Sequence, residues 1–384
     1  MKKNIAVVTS NRAEYGILTP LLHRIEGDED LNLSLIVTGG HLLEKYGNTI
    51  NQIRNDGFRI SKTVPILNEG NSAKDISESI ANAIIGFSKL FNEDRPDMLV
   101  LLGDRTEILG VAISAMNENI PIVHLHGGEV TEGAVDDCVR HALTKMSYIH
   151  FAGTEIYRNR IIQMGENPKR VFNVGTLSAE NIMNVPLMSE SDVREDICIP
   201  SNMKYVIVTL HPETVDQLSP EGISGLLCEC MEKEKDLFFV ITASNSDVGG
   251  DTINNVFMRF ADSNENVIFR HSLGMKRYLS AVKYALFVLG NSSSGIVEAP
   301  ILGTPTINIG NRQCGRIMAE TIINVPFEKQ KILEAVKQAK QAERIPSTIY
   351  GDGNTSVKMV EIMKRFLDEG IDLKKGFYDC QFAK

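Results

Sequence analysis

No run of lysine and arginine occurs in the 384-residue chain, and its formal net charge is −9. A nucleic-acid surface needs clustered cations, so that class of partner is excluded. No apolar run approaches the roughly 18 residues that a membrane helix needs. No leader is expected, because Met1-Lys2-Lys3-Asn4 passes straight into a short strand pattern. The six cysteines (Cys138, Cys198, Cys228, Cys230, Cys314 and Cys380) are scattered and form no CxxC pair. No zinc or redox motif is therefore expected, and reduced thiols in a cytoplasmic protein are the reading. There is no GxGxxG fingerprint, so a dinucleotide fold is not supported. Solenoid repeats and low-complexity tracts are absent as well.

What the chain does have is a steady alternation of short apolar runs and helical patterns. With 43% hydrophobic and 23% charged residues it can bury ordinary cores, and its length suggests about two domains. Strands are predicted at Ile5–Val8, Leu31–Val37, Met98–Leu102, before His124, at Ile149–Ala152 and at Val171–Val174. The pattern breaks from about Met183 to Lys204, which reads as a linker. A second series follows at Tyr205–Leu210, Phe238–Thr242, Val267–Phe269, Leu286–Leu289 and Thr306–Ile309. Repeated βα units imply parallel sheets covered on both faces. The expected architecture is α/β, with Rossmann-like domains at 1–182 and 183–384 facing across a cleft. The last long helix, about Ser356 to Leu367, is expected to pack back on the first domain.

Chemistry concentrates between His124 and Asp137. Two histidines, His124 and His126, close a strand and precede Gly127-Gly128. Glu129, Glu132, Asp136 and Asp137 follow, with Arg140 and His141 one helical turn on. Strand, glycine turn and charged helix start is where open α/β sheets place ligands. Spacing of two along a strand puts both histidines on one face. An isolated HxH with no distinctive third ligand does not make a metal site, and none is expected. Asp104, in Gly103-Asp104-Arg105, suits both a cleft carboxylate and a helix cap. Arg12, in the turn Thr9-Ser10-Asn11-Arg12, can reach a phosphate. His211 ends the first strand of the second series and suits a place beside a diphosphate. Gly290-Asn291-Ser292-Ser293-Ser294-Gly295 follows a strand and opens a helix, which makes it the strongest phosphate signal. Glu298, one turn on, is placed to accept from ribose hydroxyls. Arg312 ends the neighbouring strand and points the same way.

These residues together resemble the hydrolysing UDP-N-acetylglucosamine 2-epimerases, a family with the GT-B fold. The resemblance runs from Ile5 to about Pro326. It is carried by Thr9 to Tyr15, Thr38-Gly39-Gly40-His41-Leu42, Gly103-Asp104-Arg105, Gly127 to Val130, Asp136-Asp137 with Arg140-His141, and Gly290 to Gly295 on through Glu298, Gly303-Thr304-Pro305 and Asn308 to Arg312. It implies that Arg12, His211, Asn245, Ser292, Ser293, Glu298 and Arg312 bind UDP. It implies that Asp104 and Asp136 are catalytic. His126 and Glu129 complete the expected catalytic set, and His41, Asp137 and Arg140 are the expected sugar pocket. Sialic-acid-pathway members carry a glutamate where this chain has His126. The stretch His-Leu-His-Gly-Gly-Glu-Val-Thr-Glu-Gly-Ala resembles instead the branch acting on UDP-N,N'-diacetylbacillosamine in legionaminic acid synthesis. The expected reaction needs a UDP-sugar and water, no metal and no cofactor, and the expected assembly is a homo-oligomer, dimer or tetramer. Glu298 reads ribose and not the base, so UDP and GDP both fit. A GT-B glycosyltransferase, a non-hydrolysing epimerase and a nucleotide-sugar sensor are the competing classes; the carboxylates of 124–137 argue against the first, and the last should not need Asp104 and Asp136.

Overall fold

The computed structural model describes residues 2–68, 70, 72–130, 135–213, 219–244 and 249–380. The chain divides into two compact units, one of Met1–Asn181 with Gly351–Lys384 and one of Ile182–Tyr350. In the first unit the strands are β1 (Lys3–Thr9), β2 (Leu31–Thr38), β3 (Ile60–Val64), β4 (Met98–Leu102), β5 (Ile122–Leu125), β6 (Ile149–Ala152) and β7 (Val171–Asn173). They form one parallel sheet in the order β3-β2-β1-β4-β5-β6-β7. The second unit holds β8 (Lys204–Thr209), β9 (Leu237–Thr242), β10 (Val267–Arg270), β11 (Val288–Gly290), β12 (Thr306–Ile309) and β13 (Ile322–Val325). Its order, β10-β9-β8-β11-β12-β13, is again all parallel. Both are doubly wound, Rossmann-like sheets.

Burial on both faces explains the continuous apolar strands. Successive side chains of a strand point to opposite faces. Ile5 and Val7 of β1 and Met98, Val100 and Leu102 of β4 accordingly enter one core, while Ala6, Val8, Leu99 and Leu101 enter the other. Helices cover each face. Arg12–Glu26 starts at Asn11, whose side chain accepts from the N–H groups of Ala13 and Glu14. Ala73–Glu93 starts with a reciprocal capping box between Ser72 and Asp75. The helix Thr355–Glu369 buries Met359, Val360 and Met363 in the core that holds Ile5 and Val7.

One boundary and three elements differ from the sequence expectation. The second unit ends at Tyr350, and the residues after it belong to the first. The stretch read as a linker contains the helix Glu190–Ile197, capped by Ser189 and ended by Cys198 in left-handed conformation. It buries only Val193 and Ile197, one turn apart, too few apolar positions to make a periodic signal. The strand β13 and the helix Lys329–Ala339 follow Thr306–Ile309. β13 is half-exposed at the sheet edge, so it lacks the apolar run of the inner strands.

Candidate functional site

In each sheet the strand order reverses at one place, between β1 and β4 and between β8 and β11. Ligands of doubly wound folds bind outside the carboxyl ends of the strands at such a point. The loops there are Ser10 to Arg12 and Gly103 to Arg105 in the first unit, and Leu210 to Glu213 and Asn291 to Ser294 in the second.

In the first unit β4 and β5 run in register, Leu101 beside His124 and Leu102 beside Leu125. β4 gives way to Gly103 at φ 80° and then Asp104. β5 ends at Leu125, and His126 is left-handed at φ 63°, uncommon for a residue with a Cβ. His126 is therefore turned out of the strand, and the shared face expected for the two histidines is lost. Gly128, at φ 78°, packs so closely that a Cβ would lie 2.3 Å from the Tyr157 carbonyl oxygen. This turn sets His126 Nδ1 2.9 Å from Glu129 Oε1. His126 Nε2 is buried with no hydrogen-bond partner among the described residues. Burial opposes charging the ring, but Glu129, and more weakly Asp104, outweigh it and hold the His126 pKa above its ordinary value.

Arg140, on the helix Val135–Met146, gathers the carboxylates. It is 4% exposed. One Nη donates to Asp104; the other donates to Asp137 Oδ1 at 3.1 Å and to the Glu129 carbonyl at 3.0 Å. His141 Nε2 lies 3.4 Å from the other oxygen of Asp137. Asp104, Asp137, Arg140, Glu129 and His126 are thus drawn into one cluster. Asp136 is exposed at the start of the same helix and acts electrostatically on Arg105. His124 sits beneath: fully buried, its Nε2 is 2.8 Å from the Gly103 carbonyl, and burial pushes its pKa down to about 3. It stays neutral and fixes the turn before Asp104.

His41 has a similar supporting place, not an open one. It is fully buried, with Nε2 3.0 Å from Thr9 Oγ1 and Nδ1 2.8 Å from Thr49 Oγ1. Burial lowers its pKa to about 4. Both ring nitrogens are engaged, so its contribution is to hold the loop after β1 and the pocket role expected for it lacks a free atom. Arg12 is exposed on that loop.

In the second unit, β11 closes on Gly290 at φ 137°, where a Cβ would lie 1.9 Å from the Thr209 carbonyl oxygen. Only glycine lets β11 meet β8 there. Asn291, fully buried, then ties three loops together. Its Oδ1 accepts from the His211 backbone N–H at 2.7 Å, and its Nδ2 donates to the His211 carbonyl at 2.9 Å and to Glu213 at 3.3 Å. Its carbonyl accepts from Gln313 Nε2 at 2.9 Å and Arg312 Nη1 at 3.4 Å. Glu213 in turn accepts from the backbone N–H groups of Asn311 and Arg312. His211 Nδ1 lies 3.2 Å from Ser244 Oγ. His211, Ser292, Ser293 and Arg312 are thereby brought to one end of the sheet. Neither Asn291 nor Glu213 is singled out by the sequence, although Asn291 stands within the quoted motif Gly290 to Gly295. The helix expected after Gly290 is one turn only, Ser293–Ile296, followed by Glu298–Ile301. Pro300 has no N–H to bond back to residue 296, and its ring clashes there. Glu298 is held in a desolvated place that raises its pKa, with Arg316 opposing. Asn245 and Glu132 lie outside the described residues.

Among the described residues no three His, Cys, Asp or Glu side chains group as metal ligands, and no helix is long and apolar enough to cross a membrane.

The UDP-N-acetylglucosamine 2-epimerase family matches residues 23–364. The chain is 38% identical to the GDP/UDP-N,N'-diacetylbacillosamine 2-epimerase (hydrolyzing) of Campylobacter jejuni over 324 residues, 84% of each chain. It is 34% identical to the UDP-N,N'-diacetylbacillosamine 2-epimerase (hydrolyzing) of Legionella pneumophila over 367 residues, 95% of this chain and 96% of the other. Its fold is that of the UDP-GlcNAc 2-epimerase of Neisseria meningitidis solved with UDP-GlcNAc, with a TM-score of 0.77 at 19% identity over 94% of this chain and 100% of that one. Two Rossmann-like units of this topology make the GT-B-like fold. Within it, the chain belongs to the UDP-N-acetylglucosamine 2-epimerase family and is a UDP-sugar 2-epimerase.

Proposed function

We propose that the protein is a hydrolysing 2-epimerase that converts UDP-N,N'-diacetylbacillosamine and water to 2,4-diacetamido-2,4,6-trideoxymannose and UDP, for legionaminic acid biosynthesis in the cytoplasm. Two relatives named for that substrate at 38% and 34% identity support the choice of sugar. The observation that carries the chemistry is the cluster at the carboxyl ends of β4 and β5. There Asp104 is held by Arg140, and His126, paired with Glu129 on one nitrogen, has a second nitrogen with no hydrogen-bond partner among the described residues.

The reaction needs two stages. A C2 hydrogen of an acetamido sugar is a poor acid, and it becomes removable as the C1–O bond to UDP stretches and the ring gains oxocarbenium character. Loss of the C2 proton and of UDP leaves a glycal. Water then adds its oxygen to C1, and a proton is delivered to the opposite face of C2. Inversion therefore calls for acid–base groups on two sides of the ring. Asp104, His126, Glu129 and Asp136 are the groups assigned to these transfers, with Asp137 and Arg140 lining the sugar pocket. His211, Ser292, Ser293, Arg312 and Asn245 of the second unit hold the nucleotide diphosphate, and Glu298 accepts from ribose. Arg12 is also assigned to the UDP-binding set. Cationic and N–H donors stabilise the departing UDP. No metal or organic cofactor enters this scheme. The working form is a homo-oligomer.

The second reading keeps the same chemistry on UDP-N-acetylglucosamine, giving N-acetylmannosamine for sialic acid; the family description favours it. Incubation with each UDP-sugar and with the GDP-linked analogue, followed by NMR, decides between them. Free 2-epimerised 4-acetamido-6-deoxy sugar with equimolar UDP is expected. An intact nucleotide-sugar product would refute the hydrolytic course, and preference for UDP-N-acetylglucosamine would refute the choice of sugar. Asp104→Asn and Asp136→Asn should each lower kcat by roughly a hundredfold or more while binding of UDP persists. Full turnover in either would remove that residue from the scheme.

A further inference from the structure

Four side chains of the first unit, at the carboxyl ends of β1 and β4, are left unused by the scheme. Ser10 Oγ stands 2.9 Å from Glu14 Oε2 and 3.0 Å from Glu107 Oε1. Glu14 Oε2 also accepts from the Ser10 backbone N–H at 2.8 Å. Glu107 Oε1 accepts from Arg105 Nε at 2.7 Å. Glu14 and Glu107 are 7% and 4% exposed. A hydroxyl carries one hydrogen. It can donate to one of two carboxylates, and the other contact then needs a proton from the carboxyl itself. Glu107, which receives the guanidinium, takes the role of the anion. Glu14 is the acid: its Oε1 is buried without a hydrogen-bond partner among the described residues. A bare carbonyl oxygen is tolerable there, whereas a bare carboxylate oxygen is costly.

We propose that Glu14 is held as a neutral acid, and that the chain Glu14–Ser10–Glu107 is a positioning device that keeps Arg105 on Glu107, from where its charge acts on Asp136. The role given to Arg105 rests on the assignment of Asp136 to proton transfer. Arg105 and Glu107 are the charged groups that face Glu14, and Arg105 feels Asp136 in turn. Arg105 Nε is only 3.9 Å from Glu14 Oε1. Ionised Glu14 would compete with Glu107 for the guanidinium and so change the charge that Asp136 feels. Burial, partly offset by the Ser10 contacts and Arg105, pushes Glu14 up to about 7, so the competition begins as pH rises past neutrality.

Infrared difference spectra of the full-length enzyme, taken between about pH 5 and pH 9, test the protonation. A carboxylic-acid C=O band should be present at the acid end, vanish at the alkaline end and be missing from Glu14→Gln. The kinetic readout is the shape of the pH profile, not its height. Wild-type kcat should fall roughly fivefold or more on the alkaline side, and Glu14→Gln, which cannot ionise, should lack that limb. Absence of a Glu14-dependent band, or an alkaline limb unchanged in Glu14→Gln, would overturn the proposal. Failure of the Asp136 assignment looks different: Asp136→Asn would retain turnover while the Glu14 band stayed in place, and only the role of Arg105 would be lost.

Discussion

Replacing Gly290 by alanine should damage the second unit far more than the same replacement at Gly103 damages the first. Both glycines end an inner strand and both have positive φ, 137° and 80°. Alanine in the left-handed region costs about 1–2 kcal/mol. At Gly103 no atom of the described residues, its chain neighbours aside, lies within 4 Å of the new Cβ, so that backbone cost is the whole expected effect. At Gly290 the new Cβ falls 1.9 Å from the Thr209 oxygen and 2.7 Å from its carbonyl carbon. Those are rigid backbone atoms of the strand paired with β11. Separating the strands adds about 1–3 kcal/mol of overpacking to a backbone cost of about 1–3 kcal/mol. The sum of about 2–6 kcal/mol is a large share of a typical domain stability of about 5–15 kcal/mol. The damage also has a direction. Asn291 donates its backbone N–H to the same Thr209 oxygen and holds His211 through its amide. UDP affinity should therefore fall with stability in Gly290→Ala. Urea unfolding followed by far-UV circular dichroism and calorimetric UDP titration check both, circular dichroism being chosen because the chain has no tryptophan. Equal midpoints for the two variants would refute the steric reasoning.

Arg140→Met should leave Asp104 and Asp137 without their shared cation. Breaking a buried pair costs about 3–5 kcal/mol, and less is expected here because the two aspartates keep 27% and 26% of their side-chain surface exposed. Arg140→Lys should not restore activity, since one ammonium cannot serve Asp104, Asp137 and the Glu129 carbonyl as a planar fork does; kcat and thermal unfolding of both variants give the answer. Glu129→Gln should lower the His126 pKa, measured by NMR titration of the ring. The folded His126 pKa is raised by Glu129, so its contribution to stability is complete below the unfolded value of about 6.5 and is lost as pH rises through the folded value. In Glu129→Gln that loss of stability with pH should diminish, and an unchanged profile would count against the pair.

The doubly wound fold was legible because inner parallel strands are buried on both faces and print as continuous apolar runs. β4, Met98-Leu99-Val100-Leu101-Leu102, is the plainest case. β13 and the helix Glu190–Ile197 were not legible, since one is half-exposed at a sheet edge and the other buries two side chains. Within the candidate site, Asp104, Glu129, Asp137 and Arg140 could be found because charge recurs at the ends of apolar strands. Three features arise only from tertiary packing. The left-handed turn at His126 is not written in a histidine codeword, since φ depends on the packing of Gly128 against Tyr157. The engagement of both His41 nitrogens depends on Thr49, eight residues away. The meeting of Glu14 with Glu107 joins residues 93 positions apart through one serine hydroxyl, and no local pattern can announce it.

The return of the chain to its first unit has a consequence for biosynthesis. The helix Thr355–Glu369 supplies Met359, Val360 and Met363 to a core whose other members come from before residue 182. A ribosome must make the whole of Ile182–Tyr350 before that helix exists. At about 5–20 residues per second, the nascent first unit waits on the order of ten to thirty seconds with an apolar face uncovered. The inserted unit, contiguous in sequence, can close first. A chaperone that binds apolar surface would meet its client in that interval, on the face that Met363 later fills.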